Sequence, residues 1–192
     1  NTKTLEGAFE YDQTYDLPIF STLGWTNLGY NFTGWSYTAD DGTEMTISCG
    51  RDDPATFRNL TATDGKEVVL TAQWALGMTS YQVVIYLETL DGNYGNALSV
   101  NAGSYEIQTN TELTSSYVYE NVIVGTEFET IDGFTYDSTW SETVTATGDG
   151  MAVIHLHYTR NYYDLKVNFG DNVTNVSIES ATGYEDPNAS MA

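Results

Sequence analysis

At 192 residues the chain has room for two small domains, and its 27 acidic side chains against 6 basic ones give a formal charge of −21. Such a balance excludes a nucleic-acid partner, because nothing here neutralises a run of phosphates, and it disfavours an anionic membrane for the same reason. Aromatic residues are plentiful (15 Tyr, 7 Phe and 4 Trp), so rings of roughly 150–250 Å² each must supply much of the buried area.

The acids form no tail. Residues 1–77 hold 11 acids against 4 bases, residues 78–160 hold 11 against 1, and residues 161–192 hold 5 against 1. Charge of one sign spread this way favours solubility and keeps neighbouring modules from sticking together. Cys49 is the single cysteine, so no intrachain disulfide forms. No apolar run approaches the ~18–20 residues needed to cross a bilayer, so no membrane insertion is expected. The opening Asn1-Thr2-Lys3 is no signal peptide. Both ends are abrupt, and the chain reads as a fragment whose secretion and anchoring signals lie elsewhere.

In chain order, a short helix is predicted within residues 51–60, where Asp52 or Asp53 caps a turn starting at Pro54. Val68 to Trp74 reads as a strand after the Asp64-Gly65 turn. Residues 75–80 read as a short linker. Tyr81 to Glu88 alternates, with Val83, Ile85 and Leu87 on one face and Val84 and Tyr86 on the other. The long polar stretch 92–118 has room for an extra hairpin. Residues 117–124 and 126–131 read as a strand pair. Thr139–Thr147 and Met151–Thr159 read as a hairpin about Gly148-Asp149-Gly150, and Asp164–Phe169 with Val173–Ile178 as a last one. Asp-Gly pairs at 41–42, 64–65, 91–92, 132–133 and 149–150 supply the positive φ angles of tight turns. The fold class expected is mostly β, with α+β as the alternative.

Gly29-Tyr30-Asn31-Phe32-Thr33-Gly34-Trp35, followed some forty residues later by a strand ending in Trp74, resembles the internalin B-repeat (Listeria–Bacteroides repeat) family. The usual opening strand with its Gly-Gly turn is missing, and Glu6 to Tyr11 is read as its substitute. A second segment resembles the mucin-binding-protein (MucBP) repeats. It opens with Tyr81 to Glu88 and Asp91-Gly92, continues through Gly125-Thr126-Glu127-Phe128 to Gly133-Phe134, and closes with Ala152 to Asn161. The stretch 92–118 exceeds that family's usual spacing. An echo of Gly29-Tyr30 in Gly133-Phe134, with Gly183-Tyr184 as a third start, points the same way. These resemblances imply tandem small β-grasp-like modules with at most one short helix each. The divisions are 1–77, 78–162, and 163–192 as the start of a further module or a C-terminal hairpin.

The residues that carry the motifs are assigned to packing: Gly29, Tyr30, Phe32, Gly34, Trp35 and Trp74 in the first module, Gly133 and Phe134 in the second. Trp25, in a polar context, and Trp140, in a Ser/Thr-rich one, are the candidates for stacking on a glycan. His155 and His157 share a strand face, a spacing that seats zinc only with a third ligand. No third histidine exists, and no metal is assigned. Asp40-Asp41-Gly42-Thr43-Glu44 and Asp52-Asp53 offer oxygens for calcium, yet the alternating EF-hand loop is absent and turn chemistry accounts for Asp41-Gly42. Asn-x-Ser/Thr triplets start at Asn31, Asn59, Asn172, Asn175 and Asn188, and an isopeptide link would have to use Lys3, Lys66 or Lys166. Catalytic signatures, including any Cys49–histidine dyad, are missing, and no cofactor is expected.

The resemblance therefore implies a non-catalytic segment of a bacterial cell-surface, cell-wall or secreted protein, a stalk or spacer and adhesion module beside neighbouring modules of the same chain. The alternative is a ligand-binding module for mucin-type glycans or a host protein.

Overall fold

The computed structural model describes residues 8–164. The chain is mostly β. Among the described residues eleven strands run Thr14–Leu17 (β1), Tyr30–Thr38 (β2), Glu44–Ser48 (β3), Ala55–Arg58 (β4), Thr71–Leu76 (β5), Met78–Leu87 (β6), Leu98–Gln108 (β7), Glu112–Thr114 (β8), Phe134–Tyr136 (β9), Thr143–Thr145 (β10) and Ala152–Arg160 (β11). Helical structure amounts to a 3-10 turn at Phe20–Leu23 and one turn of α-helix at Ser115–Val118 (α1), which widens into a π-turn over Tyr119–Ile123.

The first core forms between two small sheets. One has the order β3-β2-β5, the other pairs β1 with β4, and all pairings are antiparallel. Phe32 and Trp35 lie three apart on β2, which in a regular strand would send them to opposite faces. A bulge between Phe32 and Gly34 adds one residue opposite β5 and turns both rings inward. Their centroids then lie 5.3 Å apart. Gly34 sits at φ +138°, and a Cβ there would fall 2.2 Å from the Ile47 carbonyl oxygen. The glycine spacing of the motif is thus a requirement of the bulge. Phe20, on the 3-10 turn, stacks on Phe32 at 3.9 Å and completes the cluster with Leu17.

The second core lies between a four-stranded sheet and α1. Strand order is β7-β6-β11-β9, with β6 and β11 parallel at the centre and the flanking pairs antiparallel. Alternation sends Tyr81, Val83, Ile85 and Leu87 of β6, and Ala152, Ile154, Leu156 and Tyr158 of β11, to one face. There they meet Val118 and Ile123 of the helical segment and Leu113 of β8. The opposite face carries Tyr86, His155 and His157.

Several sequence readings need correction. Residues 55–58 form a strand, because Ala55 and Phe57 alternate inward and pair across some forty residues with Tyr15 and Leu17. Asp53 accepts the Gly50 N–H at 3.0 Å and caps no helix. The helical segment lies at 115–123, where a strand was read: the Thr114 hydroxyl accepts the Tyr117 N–H, and Ser115, Val118 and Ile123 are buried at helical spacing. Residues 126–131 are turn and coil. Val68–Leu70 precede the strand, which starts at Thr71. The described part of the stretch read as a substitute opening strand is coil up to a turn, and the first strand begins at Thr14.

The hairpin about Gly148-Asp149-Gly150 fails for a different reason. Its turn forms, with the Asp149 carboxylate accepting from the Thr147 hydroxyl and the Met151 N–H. The strands leaving it find other partners: β10 pairs with β8, and β11 runs parallel to β6. Residues 75–80 are no linker either. β5 ends at Leu76, β6 begins at Met78, and Gly77 alone separates them. The region 92–118 holds one hairpin arm: β7 folds back on β6 through a turn in which the Thr89 N–H donates to the Asn93 carbonyl at 3.0 Å and the Asn93 N–H to the Thr89 hydroxyl at 3.2 Å. The hairpin read at 164–178, the Gly183-Tyr184 start, Lys3, Lys166, and the triplets at Asn172, Asn175 and Asn188 lie outside the described residues.

Candidate functional site

Two places gather residues singled out in the sequence. The first is the seam where β5 passes into β6. The Gly77 N–H donates to the Gly29 carbonyl oxygen at 2.9 Å, and the Gly77 carbonyl accepts from the Thr109 N–H at 2.9 Å. The buried Thr109 hydroxyl also donates to the Gly29 oxygen, at 2.6 Å, and the Asn110 amide donates to the Tyr30 hydroxyl at 2.9 Å. Gly148 completes the packing: a Cβ on it would fall 1.9 Å from the Leu28 oxygen, and one on Gly29 would fall 2.5 Å from Gly148 Cα. Gly29 and Tyr30, assigned from sequence to the packing of the first module, therefore contact Thr109, Asn110 and Gly148 across the seam. Trp35 and Phe32 are buried in the first core, and Trp74 packs edge-on to Phe20 at 5.3 Å. Gly133 turns the chain into β9 at φ +80°, and Phe134 lies under the Arg160 guanidinium at 4.8 Å.

The second place is a groove on the sheet face away from the helix. Strand β11 is flanked by β9 only from Tyr158 onward, so its edge over 155–157 needs other partners. The chain between β9 and β10 supplies them. Asp137 N–H donates to the His157 carbonyl at 2.8 Å and the Glu142 carboxylate accepts the His155 N–H, while Ser115 Oγ, from α1, donates to the His155 carbonyl at 3.1 Å. Running alongside β11 in this way, the segment lays Trp140 against His157, ring centroids 3.9 Å apart. Parallel register sets His157 opposite Tyr86, and the two rings stack at 5.4 Å. From the β6–β7 turn, Tyr94 meets the same imidazole edge-on at 4.5 Å.

Around these rings opens a groove of about 670 Å³, lined also by His155 and by Asp91 to Gly95. Trp140 remains 43% exposed, whereas His157 is only 5% exposed. Burial holds the His157 imidazole below its usual range, against the opposing pull of Glu142 and Asp137, so it is neutral at neutral pH. Burial likewise pushes the Tyr94 phenol up to about 12, with help from Asp137 and Glu88. Tyr94 Oη and His157 Nδ1 both lack a hydrogen-bond partner in the protein. Such atoms cost about 1–3 kcal/mol each when buried. His155 is oriented differently, its Nδ1 lying 3.0 Å from Glu142 Oε1. That contact occupies Nδ1 and leaves Nε2 free for another hydrogen bond.

Of the glycan candidates, only Trp140 lies in this groove. Trp25 packs edge-on against Phe20 in the first core, at 6.2 Å, and the two tryptophans are not brought together. Cys49 packs against the first core and both histidines lie on the second sheet, so no dyad forms. Among the described residues no cluster of three His, Cys, Asp or Glu side chains could hold a metal ion. Three of the carboxylates read as calcium candidates brace the backbone: Asp53 accepts the Gly50 N–H, and Asp41 accepts the Thr43 N–H. Asp40 takes Lys66 Nζ at 2.6 Å, the Ala62 N–H and the Thr61 hydroxyl. Lys66 above all draws the Asp40 carboxyl down to about 2. Among the described residues no helix is long and apolar enough to cross a membrane.

Sequence reasoning missed Tyr86, Tyr94, Asp91 and Glu142 as neighbours of Trp140. The His155/His157 alternation was a visible signal, but nothing local told that β11 would lie parallel to β6. Compared with protein-family models, curated proteins and solved structures, the chain gives no match.

Proposed function

We propose that this chain is a non-catalytic segment of a bacterial cell-surface or secreted protein, a spacer and adhesion module built of tandem β-grasp-like units. The observation that carries the reading is the seam. A single residue, Gly77, joins β5 to β6, and backbone groups of Gly29, Gly77 and Thr109 hydrogen-bond across the join with Gly148 pressed against Leu28. Backbone-to-backbone packing of that kind resists bending, which is what a stalk needs. The order β7-β6-β11-β9 with a parallel central pair and one helix packed across it supports the β-grasp expectation for the second unit. The acidic charge spread along the sequence agrees with modules that stand side by side without aggregating.

Spin labels at Thr46→Cys and Glu106→Cys, on exposed strand positions either side of the seam, with Cys49→Ser, test the mechanical claim. A single narrow distance distribution is expected, broadened by Gly148→Val. A broad distribution in the chain with its native Gly148 refutes the spacer. In the parent organism, protease shaving of intact cells should release this segment; retention inside the cell refutes the surface location.

A second reading, a ligand-binding module for glycans or a host protein, is favoured by one observation of its own: the groove beside Trp140.

A further inference from the structure

We infer that the groove beside Trp140 is a carbohydrate subsite taking a neutral pyranose, stacked on the indole with a hydroxyl hydrogen-bonded to His155 Nε2; this rests on the ligand-binding reading of the second unit. Trp140 is braced from behind by His157 at 3.9 Å and still 43% exposed. A platform held in place before the ligand arrives loses little freedom on binding. The turn that forms the opposite wall is similarly fixed. Thr89 donates through its hydroxyl to Asp91, its backbone N–H meets the Asn93 carbonyl at 3.0 Å, and Asn93 Oδ1 accepts the Gly95 N–H at 2.7 Å. The groove, about 670 Å³, is shallow and open to solvent, a shape that suits a sugar ring stacked on Trp140 rather than an enclosed ligand.

Charge selects among ligands. No Lys or Arg lines the groove, and Asp91 lies in its wall, with Glu142 held against His155 beside it. A sialylated or sulfated sugar would meet uncompensated carboxylates. Carboxylates keep their charge inside hydrogen bonds to neutral hydroxyls, Asp91 with Thr89 and Asp137 with Thr139 at 2.6 Å, so a cation is the competing occupant the test has to include. The polar atoms left without partners are neutral ones, His157 Nδ1 and Tyr94 Oη, on side chains lining the groove. A pyranose matches the two surfaces the groove offers, an apolar C–H face for the indole and hydroxyls for His155 Nε2, while His157 Nδ1 and Tyr94 Oη lie buried beneath.

The full chain should be titrated by NMR with lactose, maltotriose and chitotriose, and in parallel with sialyllactose, a sulfated galactose and hexalysine. Expected is binding of at least one neutral sugar, weakened at least about tenfold by Trp140→Ala, weakened less by Trp140→Phe, which keeps a ring, and unchanged by Trp25→Ala. His155→Ala should weaken it severalfold. Amide exchange of the strand joining Met78 to Leu87 verifies that each variant is folded. Binding only of the acidic sugars or of hexalysine overturns the neutral-sugar inference and leaves a ligand-binding module standing. Sugar binding indifferent to Trp140→Ala overturns the subsite. Silence towards every probe overturns the subsite and the ligand-binding reading together, and leaves the spacer.

Discussion

Four buried side chains, Leu17, Phe20, Phe32 and Trp35, anchor the first core, and twelve anchor the second. The first relies on large rings set edge to face or stacked, with Phe20 within 6.2 Å of Trp25, Phe32, Trp35 and Trp74 alike. The second relies on aliphatic rows from β6 and β11 closed by α1, with Tyr81 and Tyr158 as its largest members. A few large rings bury much area per residue but leave little redundancy. Many smaller side chains share the load, and the surroundings of any one can partly relax.

The comparison breaks most visibly at Phe20. Phe20→Ala should cost about 3–5 kcal/mol, because the ring packs against Trp25, Phe32, Trp35 and Trp74. Leu156→Ala, fully buried among aliphatics, should cost about 2–5 kcal/mol. Amide exchange read separately in β2 and in β6 locates each loss. If Phe20→Ala loosens β6 as much as β2, the two cores form one cooperative unit and the contrast between them dissolves.

Glycine sharpens the same comparison. Gly34→Ala places a Cβ against the Ile47 carbonyl at φ +138°, where neither the bulge nor the flanking strand can yield. We expect a loss of about 2–4 kcal/mol. Gly42→Ala, also at positive φ but with open space around it, should lose less, about 1 kcal/mol. Urea melts of the two variants should differ accordingly, and equal midpoints would remove the bulge as the reason for the motif.

What was legible in the sequence follows from range. Val83, Ile85 and Leu87 announced their face of β6 because alternation is local, and they are buried as that pattern requires. Gly34 and Trp35 stood out as a motif, though the bulge that explains their spacing depends on β5, some forty residues on. Ala55 and Phe57 are strand residues only because β1 is there to receive them. The helical segment at 115–123 is too short to display a 3.6-residue stripe, and its Val and Ile residues read as strand. The groove was legible in part: Trp140 and the His155/His157 pair were picked out singly. Their meeting depends on the parallel β6–β11 register and on the segment bracing the edge of β11, neither of which has a local signature.

His157 supplies the gentlest test, and it separates the two cores by pH, because both histidines lie in the second. Burial lowers the His157 pKa from the ordinary 6.5, while Glu142 and Asp137 oppose the shift and His155 adds to it. The unfolded chain therefore takes up a proton at a higher pH than the folded one. Stability from the neutral, buried imidazole is complete above about 6.5 and declines as pH falls below that value, until the folded form itself protonates and the decline stops. Asp137, whose carboxyl the Thr139 hydroxyl draws below its usual range, acts in a separate window: its contribution holds above 3.8 and is lost as pH falls further. Between pH 7 and pH 5 the second core should thus lose a little stability while amide exchange in β2 stays unchanged once corrected for intrinsic rates. His157→Gln should flatten that slope. A slope that persists in the variant would shift the cause from this imidazole to another group of the second core, and an equal slope in β2 would mean that the seam passes the change across.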